Sequence, residues 1–176
     1  MKKIFYIFII FLFKINIAYS LIEVDITRGN LDPLPIAISP LHVDQQSDNY
    51  KDTKTKELGV LISSVVEKNF KSTGLFNPLN KDAFVQKPDI AHLKPRFEDW
   101  SLITAQALVT GKLLIKDEKL KIEFRLWDVA ANKEMIALAF TTTPSNWRRV
   151  AHIISDKIYE RLTGETGYFD TRIIYV

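Results

Sequence analysis

Histidine is the residue type in this sequence best suited to metal or acid–base chemistry, and it occurs at positions 42, 92 and 152, each isolated from the others. A helical zinc pair needs its second ligand one turn away, but the positions four residues either side of His152 are Arg148 and Asp156, which do not suit such a pair. Thr110-Gly111-Lys112 has the ending of a phosphate-binding loop. That motif fails, because its first glycine would fall at residue 106, which is Gln, and the residue after Lys112 is Leu. There is no cysteine to act as a nucleophile, and no serine sits in a Gly-x-Ser-x-Gly elbow. Glu98 and Asp99 are the nearest pair of carboxylates. Adjacent residues on a helix point about 100° apart, so the two cannot share a proton, and a solvated helix start suits them better. These residues imply a protein without catalysis, cofactor or bound metal.

Arg148 and Arg149 stand out for a different reason. Two cations in the first turn of a helix oppose its dipole, at a cost of a few tenths of a kcal/mol each. An anionic partner should therefore face them. Asp128 or Glu134 within the fold is one possibility, and an external binding partner is the other.

The elements that carry these residues run from Ala105 to Gly164. Leu120, Ile122, Phe124 and Leu126 alternate with Lys119, Lys121, Glu123 and Arg125, which is a strand with one wet face. Strands at Ala107 to Ile115 and Glu134 to Thr142 flank it through short polar connections, so the three form an antiparallel meander. Thr143 is placed to cap a helix with Pro144 in its first turn. Trp147, Val150, Ala151, Ile154, Ile158 and Leu162 form that helix's apolar stripe, and Gly164 is placed to close it.

Upstream, the alternation of Ile22, Val24 and Ile26 with Glu23, Asp25 and Thr27 predicts a strand over Leu21 to Thr27. Ile36 to Ile38, held extended between prolines, predicts a second. Asp44 to Thr55 reads as a polar loop. A helix then follows from Lys56 to Ser72, with Leu58, Leu61, Ile62, Val65 and Val66 on a broad apolar face and Gly74 as its stop. A short extended piece comes next, then a turn at Asp82 to Val85 and a loop from Lys87 to Lys94. Phe97 to Trp100 opens a short helix that buries its two aromatics.

The first twenty residues read as a secretory signal. Lys2 and Lys3 precede the apolar run Ile4 to Phe13, and Ala18-Tyr19-Ser20 is a small-x-small cleavage pattern. An uncleaved anchor is the competing reading, but the run, interrupted by Lys14, is short for spanning about 30 Å of hydrocarbon. Cleavage after Ser20 is the favoured reading, with no stable membrane insertion afterwards. Without Lys2, Lys3 and Lys14 the 24 basic residues become 21, equal to the 21 acidic ones. The basic character belongs to the export signal, and nothing in the balance points to nucleic acid. A mature chain of this size buries enough surface to fold without a disulfide.

Several strings resemble one family. Ala105-Gln106-Ala107-Leu108-Val109-Thr110-Gly111, Phe124-Arg125-Leu126-Trp127-Asp128, Thr142-Thr143-Pro144-Ser145-Asn146-Trp147-Arg148-Arg149 and Ile158-Tyr159-Glu160-Arg161-Leu162-Thr163-Gly164-Glu165 are similar to the N-terminal domain of the TolB family of the Tol-Pal system. Ser72-Thr73-Gly74-Leu75-Phe76-Asn77-Pro78-Leu79 resembles it too. The fold expected from pattern and resemblance together is an α/β sandwich, a mixed sheet of about five strands covered by two main helices, with an anticodon-binding-domain-like topology. The organisation expected is a signal peptide at 1–20, the α/β domain at 21–165, and an orphan strand at 166–176. In the family, the string Gly167-Tyr168-Phe169-Asp170-Thr171-Arg172-Ile173 leads into a six-bladed β-propeller, and no repeat of blade length occurs here.

The resemblance implies a periplasmic interaction module. It would contact TolA and support outer-membrane integrity, envelope constriction in cell division and bacteriocin import. It assigns TolA contact to the extreme N-terminal segment, here Leu21 to Asp32, with Ile22, Glu23, Val24, Asp25, Ile26 and Thr27 as the candidate residues and Arg148 and Arg149 as secondary ones. A terminal strand held by few contacts suits that task, although the same strand could serve only as an edge of its own sheet. The resemblance gives Pal binding to the propeller, so direct Pal binding by this chain is doubtful. A non-functional truncated remnant and a periplasmic small-ligand-binding domain are the competing readings, the second requiring a pocket with convergent polar groups.

Overall fold

The structure, a computed structural model, describes Ile22, Val24 and residues 32–171. Its strands are β1 (Leu34–Ile38), β2 (His42–Val43), β3 (Phe76–Pro78), β4 (Ala107–Lys116), β5 (Lys119–Asp128) and β6 (Lys133–Thr142). Its helices are α1 (Thr53–Thr73), α2 (Pro88–Ala91), α3 (Phe97–Leu102) and α4 (Trp147–Thr163). The strand expected at Leu21 to Thr27 lies outside the described residues, apart from Ile22 and Val24.

The sheet is mixed and runs β3-β1-β4-β5-β6, with β2 beside β4 beyond the end of β1. β1 pairs in parallel with both β3 and β4, as a strand–helix–strand crossover requires, and β4, β5 and β6 pair antiparallel. The β4–β5 hairpin turns on Asp117 and Glu118, both at positive φ, a two-residue geometry whose twist matches that of the strands it joins. Strict alternation on β5 puts Leu120, Ile122, Phe124 and Leu126 at 1% exposure or less, and Asp128 continues the same parity into the interior.

Both main helices cover one face. Ile62, Val66 and Phe70 of α1 and Val150, Ile154, Ile158 and Leu162 of α4 share a cluster with the inward side chains of β5. Burying each large side chain contributes roughly 1.5–3 kcal/mol. Between the helices the amide of Asn69 donates to Ser155 Oγ at 2.8 Å and lies 3.0 Å from His152 Nδ1. On the other face, Leu108 of β4 packs with Trp100 of α3, Ala91 of α2 and Val129. There Gln86 Oε1 accepts from the Trp100 indole N–H at 3.0 Å and from the main chain of Arg96 at 3.0 Å, which pins the short helix.

Some local expectations change. α1 begins at Thr53 rather than Lys56, because Asp52 accepts the N–H of Lys54 and caps it within the stretch read as loop. The Lys87 to Lys94 loop contains one helical turn, α2. Pro88 opens it without losing a hydrogen bond, and the N–H of Ala91 closes on Lys87 O. Pro144 starts a 3₁₀ turn, Pro144–Asn146, instead of the helix itself. The Thr143 hydroxyl caps no backbone N–H there and pairs with Ser145 Oγ at 3.0 Å.

Gly59 lies in the middle of α1, where glycine ordinarily destabilises a helix by about 0.5–1 kcal/mol relative to alanine. Its place is explained by Leu41, whose backbone crosses the helix so closely that a Cβ at 59 would meet the Leu41 carbonyl. The N–H of Leu41 donates to Gly59 O at 3.2 Å, so the link after β1 is stapled to the helix.

Candidate interaction site

Asp128 ends β5 with its side chain 1% exposed. A carboxylate so placed must have its oxygens satisfied, and here backbone does it. Oδ1 accepts the N–H of Ala131 at 2.8 Å, which shapes the turn into β6, and Oδ2 accepts the N–H of Ile22 at 3.1 Å. Two residues on, the N–H of Val24 donates to Leu162 O at 2.7 Å. Leu162 belongs to the last turn of α4, whose carbonyls have no partner within the helix. Ile22 and Val24 are partly buried against the main core. Of the candidate contact residues these two are placed by the structure, whereas Glu23, Asp25, Ile26 and Thr27 lie outside the described residues.

A second carboxylate holds the other end of the described chain. Asp156, on α4, accepts the N–H of Phe169 at 2.7 Å and the N–H of Asp170 at 3.1 Å. Gly167 passes so near the Asp156 backbone that any Cβ would collide with it. Phe169 then reaches the core, with its ring 6.2 Å from that of Phe70 and 5.8 Å from that of Tyr159. Burial pushes the Tyr159 phenol above its ordinary pKa, and the neighbouring Tyr168 adds to the shift.

Of the two cations at the start of α4, Arg149 has its anionic partner in Asp170, not in Asp128 or Glu134. Arg149 Nε lies 3.2 Å from the Asp170 carboxylate, and Arg148 stacks its guanidinium over the Trp147 ring at 4.9 Å. Glu134 is taken by Arg125 at 3.0 Å, and Asp128 by the backbone. Arg148 stays exposed.

His42 and His92 form a titratable pair that the spacing did not suggest. Their rings stack at 4.5 Å and 8° between β2 and the end of α2. His92 Nδ1 lies 2.9 Å from Pro88 O, so it carries the proton there. Burial, and then the neighbouring His92, hold His42 below the usual histidine pKa. Asp44 and Asp89 oppose that shift, and Lys112 adds to it. Parallel rings cannot aim two lone pairs at one ion, and among the described residues no three His, Asp or Glu side chains gather as a metal site.

A groove runs between α3 and the β5–β6 turn. One part, of about 670 Å³, is lined by Lys94, Arg96, Phe97, Asp99 and Asn132, and the adjoining part, of about 550 Å³, by Glu98, Ser101, Leu102, Val129 and Asn132. The Arg96 guanidinium lies 2.6 Å from Asp99 Oδ2, so these two charges in it offset each other. No helix among the described residues is long and apolar enough to cross a membrane.

The family model for the TolB amino-terminal domain matches residues 22–135. The chain belongs to that family. It is 68% identical over 173 residues to the Tol-Pal system protein TolB of Pelagibacter ubique (strain HTCC1062), covering 97% of this chain but 39% of that protein. The chain thus spans well under half the length of that TolB relative. The crystal structure of TolB from Acinetobacter baumannii aligns with a TM-score of 0.62 at 22% identity, over 79% of this chain and 30% of that one. That likeness concerns the fold, and it agrees with a TolB-type mixed α/β sheet.

Within this TolB domain, Asp128 and Asp156 are the residues that sequence reading missed as anchors. Asp128 gave one signal, since it keeps the buried parity of β5 and yet is charged. Asp156 gave none, because its partners are main-chain N–H groups thirteen and fourteen residues ahead.

Proposed function

We propose that this chain is a periplasmic protein-interaction module of the Tol-Pal system that contacts TolA through the segment Leu21 to Asp32. The observation that carries this reading is the 68% identity, over nearly the whole chain, to a protein named for the Tol-Pal system. The geometry is compatible with a releasable segment. Among the described residues, the N–H of Ile22 donates to the Asp128 carboxylate and that of Val24 to Leu162 O, beside partial burial of both side chains, and each such hydrogen bond contributes only about 0.5–1.5 kcal/mol net. Released, the segment offers the same backbone groups to an exposed sheet edge on a partner. Arg148, exposed and stacked on Trp147, is a secondary contact in this reading. Support for outer-membrane integrity, envelope constriction in division and bacteriocin import would follow from that contact.

Calorimetric titration of the chain lacking residues 1–20 with the periplasmic C-terminal domain of TolA tests the proposal, repeated after deletion of Leu21 to Asp32. Binding that disappears with the deletion supports it. A folded chain that binds no TolA sinks it.

A further inference from the structure

The two edges of the sheet are unlike. β3 is three residues long and ends on Pro78, which has no N–H to offer a neighbour. β6 is ten residues long and carries neither a charge nor a proline from Met135 to Thr142. Among the described residues, no backbone group pairs with its outer side. Natural sheets block such edges with shortness, charge, proline or a bulge. On β6 these devices sit at one end only. Lys133 and Glu134 are charged, and Met135 is an extra residue, since Ile136 opposes Leu126 while Glu134 opposes Trp127. From Ile136 to Thr142 the register with β5 is unbroken, and Leu138 is left 40% exposed.

We propose that β6 pairs antiparallel with β6 of a second copy of this chain, across a two-fold axis at Ala139. The sequence of the edge selects this occupant. Neighbouring residue pairs in an antiparallel ladder alternate between hydrogen-bonded and non-hydrogen-bonded, so a two-fold pairing must centre on a residue and not between two. Centred on Ala139, it uses the whole regular stretch: Leu138 meets Phe140, Ala137 meets Thr141, and Ile136 meets Thr142. The exposed flank of Leu138 is covered by an aromatic ring, a cross-strand pairing of the favourable kind. Lys133, Glu134 and the Met135 bulge fall outside the ladder on both copies, so no like charges oppose. Centring on Leu138 instead would draw Met135 and Glu134 into the pairing. A charged partner strand would find no counter-charge anywhere along Ile136 to Thr142.

Sedimentation equilibrium of the purified chain, over a range of concentrations, reads the outcome. Wild type is expected to sediment as a dimer at the upper end. Ala139→Lys sets two ammonium groups directly opposite each other, and Ala139→Glu sets two carboxylates, so each variant alone is expected to be monomeric. An equal mixture of the two is expected to recover the dimer. Ala139 is exposed and faces Glu123 on β5, so neither change disturbs the core, and circular dichroism checks that both variants are folded. A monomeric wild type overturns the proposal, as it would if the edge served an extended segment of another protein. A dimer that survives both variants, or a mixture that stays monomeric, overturns it as well.

Discussion

The carboxylate of Asp128 accepts the main-chain N–H of Ile22 at 3.1 Å, across 106 residues of sequence. Its other oxygen accepts from Ala131, so one buried side chain fixes both the start of the described chain and the turn into β6. Replacing Asp128 with Ala would strand two N–H groups, at a cost of about 1–3 kcal/mol each where they stay dry. Amide hydrogen exchange is expected to speed up at Ile22 and Ala131, with a smaller effect in Asp128→Asn, which keeps one acceptor oxygen. Unchanged protection at Ile22 would show that Val24 and the core hold the segment unaided.

Asp156→Ala should release the chain beyond Gly164. Phe169 and Asp170 lose their acceptors together, and limited proteolysis is expected to cut near Tyr168 sooner than in wild type. Arg149→Ala removes only a partly exposed ion pair, worth about 0–1 kcal/mol, and should leave the cleavage rate nearly unchanged. Equal rates for the two variants would mean that the ion pair matters as much as the backbone anchors.

Gly59→Ala in α1 inverts the usual rule for helices. Alanine normally stabilises such a position by about 0.5–1 kcal/mol, but here the new methyl meets the Leu41 carbonyl. The backbone must shift, and overpacking of this kind costs about 1–3 kcal/mol. Urea unfolding is expected to show a lower midpoint with an unchanged slope; a higher midpoint would mean that the Leu41 crossing yields easily.

His42 gives the fold a pH dependence whose sign follows from its surroundings. Burial first, and His92 second, lower its pKa below the ordinary histidine value of 6.5. Below that value the unfolded chain binds a proton that the folded one refuses, so stability falls as pH drops from 6.5 towards the folded pKa. Glu123 adds a separate loss at lower pH. Its hydrogen bond from Lys121 lowers its pKa below 4.5, and the stability present above that value disappears as the carboxylate is protonated. Thermal unfolding of wild type should therefore weaken between about pH 7 and pH 5.5, the window set by an unperturbed histidine. In His42→Phe, which keeps a ring on His92, that part of the slope should vanish; a slope that persists would assign it to another group.

The meander was legible because period-two alternation on Lys119 to Leu126 admits one structure, and Gly74 and Gly164 stand where helices must end left-handed. Pro88 and Asp52 were less legible. Both open helices inside polar stretches, where a single capping or first-turn residue outweighs the surrounding composition. The partner of Arg149 was misplaced for a related reason. Sequence proximity favours Asp128 or Glu134, but backbone N–H groups occupy Asp128, antiparallel pairing gives Glu134 to Arg125, and the returning chain brings Asp170 alongside.

By itself, the sequence determined the order and type of the main elements, the faces they bury and the family to which they belong. Those follow from local periodicity, capping and recognisable strings. Only the tertiary structure decided which carboxylates anchor the two ends of the described residues, why Gly59 is a glycine, that His42 stacks on His92, and that no other described strand pairs with the outer edge of β6. The groups involved are main-chain N–H and C=O, identical at every non-proline residue. Which of them meet depends on how distant segments pack and not on any local pattern.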